Sequence, residues 1–378
     1  MRRMLSPKQL QDFGCYEILN SLAEGAYVTD ADRKILFWNR AAEAITGWPA
    51  SAVVGHACKD NILVHTDKDG HELCGRDHCP LYRSIVTDHP SDKAVLVYAQ
   101  SKSGHRIPVE VTVAPIRDTR GKVVGGIELF RDMTPAVADM LRAKKIQQSC
   151  LDCALAPDPR IKFAVRYTPT EIVGGDFYRI ERLTDDDYAI FLADVMGHGI
   201  PAALYTVELR ALWEDLRIQL GSPAALLSQM SRRLHVLTQA AGYYATAVCA
   251  NLDLQRGWLS YVRAGHPHPL VIHADGEINL LEDAQPPLGL TDDVSYINSS
   301  IQLNHGDTLL FYTDGATEIR DALDAELGTD GLAKLVRENV VASKDRLLNL
   351  PCLEEQLLRF SSDIRLPDDL TLLAAYYS

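Results

Sequence analysis

Long apolar runs are missing from this chain of 378 residues. No stretch approaches the roughly 18 residues that a membrane-crossing helix requires. The opening Met1-Arg2-Arg3-Met4-Leu5-Ser6-Pro7 has basic residues but no apolar segment behind them, so a secretory leader is not expected and a cytoplasmic protein is. Basic residues are also in short supply. Thirty-eight Lys plus Arg stand against 51 Asp plus Glu, a net charge of −13, which excludes a broad nucleic-acid-binding face because phosphate contacts need Lys and Arg. Eight cysteines in a chain this long do not make the disulfide framework of a small secreted domain. There is no long repeat, no low-complexity segment and no kinase motif. What is present, 47% apolar and 24% charged residues, is the composition of folded soluble protein, and the length fits two or three domains.

The first third alternates short strands and helices. Residues 8–23 read as helical, Gly25–Asp30 as a strand, and Lys34–Trp38 as its hairpin partner across a turn at Asp30–Arg33. Asn39 is placed to cap a helix through Ile45 that Gly47 stops. A polar stretch rich in Cys and His covers 56–80, and strands follow at 93–99, 106–116 and 123–131. From 134 to 155 an Ala-, Lys- and Gln-rich run carrying Met140, Leu141, Ile146 and Leu151 reads as one connector helix ended by Pro157 and Pro159. Residues 158–378 form a mixed unit, with strands expected at 161–168, 187–195, 244–253, 257–263, 269–273, 308–313 and 370–376. Helices are expected at 200–219, 222–239, 329–341 and 344–360. Adjacent strands with short turns argue for antiparallel pairing.

Four aspartates in this last part share one setting, a strand end beside glycine or another turn residue. They are Asp176 in Val-Gly-Gly-Asp, Asp194 in Phe-Leu-Ala-Asp-Val-Met-Gly-His-Gly, Asp314 in Phe-Tyr-Thr-Asp-Gly, and Asp368 in Pro-Asp-Asp-Leu-Thr, just before a strand. One Asp-Gly after a strand is usually only a turn; four in ordered context are not. Converging carboxylates repel one another unless a cation neutralises them, and hard oxygen donors suit Mg²⁺ or Mn²⁺. Two such ions about 3.5–4 Å apart activate a water and steady a phosphoryl group in transfer.

Five motifs occur in order: Val-Gly-Gly-Asp-Phe-Tyr at 173–178, Ala-Asp-Val-Met-Gly-His-Gly at 193–199, Ala-Gly-His-Pro at 264–267, Tyr-Thr-Asp-Gly-Ala-Thr-Glu at 312–318 and Asp-Asp-Leu-Thr at 368–371. Together they resemble the PPM-type serine/threonine phosphatases of the bacterial sporulation stage II protein E class, over about 158–378. The resemblance implies an αββα sandwich holding two Mn²⁺ or Mg²⁺ ions. It implies Asp176 and Asp194 as central ligands, the Val195 carbonyl as a backbone ligand, and Asp314 and Asp368 completing the second ion with Asp369 beside them. It also implies hydrolysis of phosphoserine or phosphothreonine by activated water on a phosphorylated anti-sigma-factor antagonist. His198 and His266 read as loop-shaping residues. One departure stands out: where the class has a further acidic residue after Gly-Gly-Asp-Phe-Tyr, this chain has Arg179. A cation there is expected to alter the electrostatics near the ions or to hold substrate phosphate, and it is the feature that favours the alternative of a binding scaffold without turnover. A general stress phosphatase with many substrates is a third reading.

The first domain resembles a PAS sensor over about 17–134, on Ala26–Asp30, Ile35–Glu43, Thr46-Gly47-Trp48 and the exit Arg131-Asp132-Met133-Thr134. That implies an antiparallel five-stranded sheet with helices, a small ligand or cofactor, and a homodimer formed through this domain and the connector. The expected organisation is an extension at 1–16, PAS domain at 17–134, connector at 135–157 and phosphatase domain at 158–378, an α+β chain throughout. Within the sensor, Cys58, Cys74 and Cys79, with His56, His65, His71 and His78 nearby, leave open a metal or iron–sulfur site, a thiol redox switch, a flavin or haem, or a structural role or other ligand. Cys150 and Cys153 form a CxxC on the connector. The signal, and whether it raises or lowers activity, is not written in these patterns.

Overall fold

The computed structural model describes residues 14–74, 78–153, 155–238, 242–342, 348–361 and 366–378. Residues 1–13, most of the expected N-terminal extension, lie outside the described residues. Backbone contacts divide the chain into two compact units, Met1–Asp139 and Met140–Ser378, and the division falls inside the connector helix.

The first unit starts with a short helix, α1 (Cys15–Asn20), then β1 (Gly25–Asp30), β2 (Ile35–Trp38), α2 (Arg40–Thr46), α3 (Ala50–Val53), α4 (Pro80–Thr87), β3 (Val95–Gln100), β4 (Arg106–Arg117) and β5 (Val123–Asp132). The strands form one antiparallel sheet in the order β2-β1-β5-β4-β3. Asn39 does more than cap α2. Its Oδ1 accepts the N–H of Ala42 at 2.8 Å and of Ala26 at 2.9 Å, while its amide donates to the Leu19 and Glu24 carbonyls, so one buried side chain ties α1, β1 and α2 together. Gly47 ends α2 at φ 74°, the left-handed conformation glycine reaches without strain. Helix α4, which begins where the Cys- and His-containing stretch ends, is not among the expected elements, although Pro80 at its first turn is a start signal.

The connector, α5 (Thr134–Leu151), stops well before Pro157. Cys153 therefore lies beyond the helix, its thiol directed to the Leu151 carbonyl, and not one turn above Cys150 on it. All eight cysteines are free.

The second unit comprises β6 (Ile161–Thr168), β7 (Asp176–Arg182), β8 (Asp187–Val195), α6 (Gly199–Asp215), α7 (Pro223–Thr238), β9 (Ala245–Asp253), β10 (Trp258–Ala264), β11 (Leu270–Ile272), β12 (Ile278–Leu280), β13 (Ser299–Gln302), β14 (Thr308–Tyr312), α8 (Gly328–Ala342), α9 (Leu350–Phe360) and β15 (Leu370–Tyr377). The expected helix at 344–360 is shorter, starting at Leu350 with Asn349 as its cap; residues 343–347 are outside the described residues. Two antiparallel five-stranded sheets form, β13-β10-β9-β8-β7 and β12-β11-β14-β15-β6. Ile190, Leu192 and Val248 of the first meet Leu309, Phe311 and Leu373 of the second in one core. The outer face of the first sheet is covered by α6 and α7 through Leu209, Trp213, Leu227 and Met230. The outer face of the second is covered by α8 and α9 through Leu332, Val336, Leu353 and Leu357. These four layers are the expected αββα sandwich. They explain why β8, buried on both sides, reads as a nearly continuous apolar run.

Candidate metal centre

The antiparallel register of β7 and β8 sets Asp176 directly opposite Asp194. In the facing sheet, Asp314 follows the end of β14 and Asp368 precedes the start of β15, two strands paired at Tyr312 and Leu372. Both sheets thus deliver carboxylates to the same end of the sandwich. Two threonines join the sheets there. The hydroxyls of Thr313 and Thr371 donate to Asp176 Oδ2 at 3.0 and 2.5 Å, and the Thr371 N–H donates to Thr313 Oγ1 at 2.9 Å.

Asp176 is fully buried, and its other oxygen, Oδ1, has no hydrogen-bond partner. Burial, then repulsion from Asp194 and Asp369, holds its carboxyl well above the usual range. Burial and the charges of Asp314, Asp368, Asp369 and Glu318 push Asp194 up to about 8. Burial and the neighbouring Asp368 and Glu318 push Asp314 up to about 6, and burial raises Asp368 as well. A cluster that penalises its own negative charge, with one buried oxygen aimed at nothing, fits hard divalent cations. No three of these carboxylates bring ligand atoms within 4.8 Å of one another among the described residues.

Backbone approach is secured by glycine. A Cβ on Gly175 would lie 2.9 Å from the Val195 carbonyl oxygen, and one on Gly315 would overlap the Asp369 carbonyl. Either side chain would push apart the loops that carry the carboxylates.

Asp369 is the most heavily hydrogen-bonded of the candidate ligands: its Oδ1 accepts the N–H and hydroxyl of Thr170 at 2.7 and 2.8 Å and its Oδ2 accepts the Gly175 N–H at 2.6 Å. Its carboxylate fastens the Thr170–Asp176 loop. Arg179 corrects an expectation. Side chains alternate along β7, so Arg179 lies on the opposite face from Asp176. It donates to the Asp152 carbonyl at 2.6 Å and stands 3.9 Å from Glu214. It braces the segment after the connector, and the feature that favoured a turnover-free scaffold no longer bears on the ions. His266 is buried, with Nδ1 3.0 Å from Thr246 Oγ1, and burial depresses its pKa to about 3. His198 sits exposed at the rim, 2.7 Å from Glu171.

Sequence reasoning missed three contributors. Thr313 and Thr371 are visible in the motifs but not in their reach to Asp176. Gln147, on the connector, is buried; its amide donates to the Gly174 carbonyl at 2.6 Å and to Thr206 Oγ1 at 3.0 Å, and its Oε1 accepts the Gly174 N–H at 3.3 Å. The helix is thereby latched to the loop that positions Asp176.

The family model described as stage II sporulation protein E matches residues 184–378, just over half of the chain. The chain belongs to this family. Residues 19–138 match the model described as PAS fold, in agreement with the first unit. Against curated proteins, this stage II sporulation protein E family member is 34% identical over 179 residues to the phosphoserine phosphatase RsbP of Bacillus subtilis, covering 47% of this chain and 44% of that one. It is 26% identical over 232 residues to the phosphoserine phosphatase RsbU of the same organism, covering 61% and 68%. The chain thus spans less than half the length of RsbP. Among solved structures, the SiaA-PP2C domain of Pseudomonas aeruginosa superposes with a TM-score of 0.56 at 24% identity, over 65% of this chain and 98% of that domain, a likeness of fold. Among the described residues no helix is long and apolar enough to cross a membrane.

Proposed function

We propose that the chain is a metal-dependent protein serine/threonine phosphatase whose activity is set by its PAS-fold unit. Its substrate would be a phosphoserine or phosphothreonine on a small regulatory partner, an anti-sigma-factor antagonist. One observation carries this reading: four aspartates from two sheets meet at one end of the sandwich, with Asp176 buried and its Oδ1 unpartnered. Asp176, Asp194, Asp314, Asp368 and the Val195 carbonyl would hold two Mn²⁺ or Mg²⁺ ions. Asp369 would stand beside them chiefly as a brace, since its oxygens accept three hydrogen bonds from the Thr170–Gly175 loop. When bound, the ions supply charge neutralisation for the phosphoryl oxygens and an activated water.

The chain's own residues do the rest. Thr313 and Thr371 orient Asp176 by holding one of its oxygens, which leaves the other free to face an ion. Gly175 lets the Val195 carbonyl come close. No side-chain nucleophile is required, so neither serine nor cysteine is assigned a covalent role. Gln147 supports the regulatory half of the reading, because it joins the connector to the Asp176 loop. Leu141 and Ile146, exposed on the connector, support self-association through that helix, and sedimentation of the intact chain would test it.

The deciding experiment is hydrolysis of an aryl phosphate by the full chain as Mn²⁺ is titrated, beside Asp194→Asn. The expected result is Mn²⁺-dependent turnover that the variant loses by about a thousandfold or more with unchanged circular dichroism. Turnover that ignores Mn²⁺, or survives the substitution, overturns the assignment. Preference for a phosphoserine peptide over a phosphotyrosine peptide then tests the substrate class.

A further inference from the structure

The core of the PAS-fold unit contains groups that an apolar core has no use for. Glu128 lies in the middle of β5, paired across to Tyr27 of β1 and Val113 of β4. It is 1% exposed, and neither carboxylate oxygen has a partner of full hydrogen-bond geometry, although the Tyr27 hydroxyl is near enough to favour its charged form. An ionised carboxylate so placed costs several kcal/mol unless something neutralises it. His65 Nε2 stands 3.7 Å from Oε1, but burial holds this imidazole neutral, with a pKa depressed to about 4. Burial, with Cys79 nearby, pushes Glu128 up to about 8.

Three thiols share this interior. Cys58, Cys74 and Cys79 are all buried and free. The His65 N–H donates to Cys74 Sγ at 3.1 Å, and Cys79 is the neighbour that acts most strongly on the Cys74 thiol. Cys79 stands at the N-cap of α4 without a side-chain capping hydrogen bond. The Tyr27 ring, also buried, feels the charge of Glu128 and of all three cysteines. The loop that brings His65 inward is held against local preference. Val64, β-branched, has φ 36°, a conformation such residues rarely take. It is kept there by Arg106 donating to its carbonyl and by the Thr66–Tyr98 bridge, at 3.0 and 2.8 Å.

We propose that this interior binds one thiophilic divalent cation of the zinc type, with the Cys58, Cys74 and Cys79 thiolates as three ligands and the fourth from the Glu128–His65 pair. Three sulfurs with one nitrogen or oxygen is a tetrahedral donor set that such a cation prefers. Burial keeps Glu128 mainly protonated at neutral pH, and a bound cation would supply the positive charge its ionised form needs. Loading releases one proton from each thiol. Closure asks for movement: no trio containing these thiols has its ligand atoms within 4.8 Å of one another among the described residues, whereas Zn–S bonds of about 2.3 Å hold sulfurs about 3.8 Å apart. The tighter group Asp67, Asp69 and His71 is a different matter. Asp67 there accepts the N–H groups of Asp69 and His71 and lies 3.1 Å from the His71 ring, a turn that is complete without an ion.

The test uses the full chain purified under reducing conditions without added metal. Metal content is measured first, then Co²⁺ is titrated into the protein stripped by chelator. Cobalt bound by oxygen donors in the other unit gives no thiolate-to-cobalt charge-transfer absorption, so that band reports this site whether or not the phosphatase assignment stands. One equivalent of zinc or iron per chain, and a charge-transfer band that saturates at one Co²⁺ and is lost in Cys58→Ser and Cys79→Ser, support the proposal. The wild-type band needs no variant, so a variant that fails to fold leaves the test intact. Glu128→Gln or His65→Gln, whichever supplies the fourth ligand, weakens Co²⁺ affinity by about tenfold or more; indifference of both removes that pair from the set. Eight reactive thiols with no band at saturating Co²⁺ overturn the proposal, as does a Cys74–Cys79 disulfide in metal-free protein.

Discussion

The two units each bury a cluster of ionisable groups, and the clusters are built differently. In the second unit the donors are oxygens at strand ends, where Asp194, Asp314 and Asp368 stay only partly buried beside the rim. In the first unit the sulfurs, the imidazole and Glu128 are enclosed within the sheet and its helices. Oxygen donors at an open rim suit ions that exchange and meet a phosphate from solution. Sulfur donors in a closed interior suit an ion that stays. A chelator should separate the two. EDTA should abolish phosphate hydrolysis completely and within minutes, reversibly on adding Mn²⁺, while the thiolate–cobalt band outlasts it. Loss of both at the same rate would erase the distinction.

A smaller effect probes how the rim is supported. Thr371→Val removes one donor to Asp176 and leaves that buried carboxylate poorer by a hydrogen bond worth about 1–3 kcal/mol. The Mn²⁺ concentration for half-maximal activity should rise about tenfold, with little change in saturated turnover. A fall in turnover at saturating Mn²⁺ instead would place Thr371 in the chemistry.

The pH response of stability is smaller again. His266 is neutral when folded, with its pKa lowered from 6.5 to about 3, so the unfolded chain binds more protons between those values. Its contribution is present above pH 6.5 and is lost as pH falls, by up to about 1.4 kcal/mol per pH unit. Urea unfolding of His266→Gln from pH 7 to 5 should show a shallower decline than wild type; parallel curves would mean another group controls acid lability. The least effect belongs to Arg179→Ala. Because that side chain faces the segment after the connector, saturated turnover should stay within about twofold. A large gain in Mn²⁺ affinity would restore the electrostatic role expected from its place in the motif.

Much of the second unit was legible because its chemistry is local. An aspartate beside glycine at a strand end can be seen within five residues, and the order of such motifs carried the fold and four of the proposed ligands. What escaped depends on distance along the chain. Thr371 reaches Asp176 across 195 positions, and Gln147 meets Gly174 across 27; no periodicity announces either. The bonds of Asp369 to Thr170 and Gly175 were out of reach too, because adjacency to Asp368 says nothing about which way a carboxylate turns. Arg179 was misjudged for want of counting the pleat from Asp176. β12 and β13, of three and four residues, are too short and too polar to stand out. Glu128 hid in plain alternation, since a charged residue within Ile-Glu-Leu-Phe reads as the solvent side of a strand.

The Gln147 latch has a consequence for how information can pass along the connector. A helix repeats every 3.6 residues, so turning it by a single residue swings each side chain through about 100°. The amide contacts with Gly174 and Thr206 would then all be broken together, because one planar group makes them all. A rotation of the connector large enough to move Gln147 would therefore release these contacts together, which leaves the Asp176 loop either clasped or free.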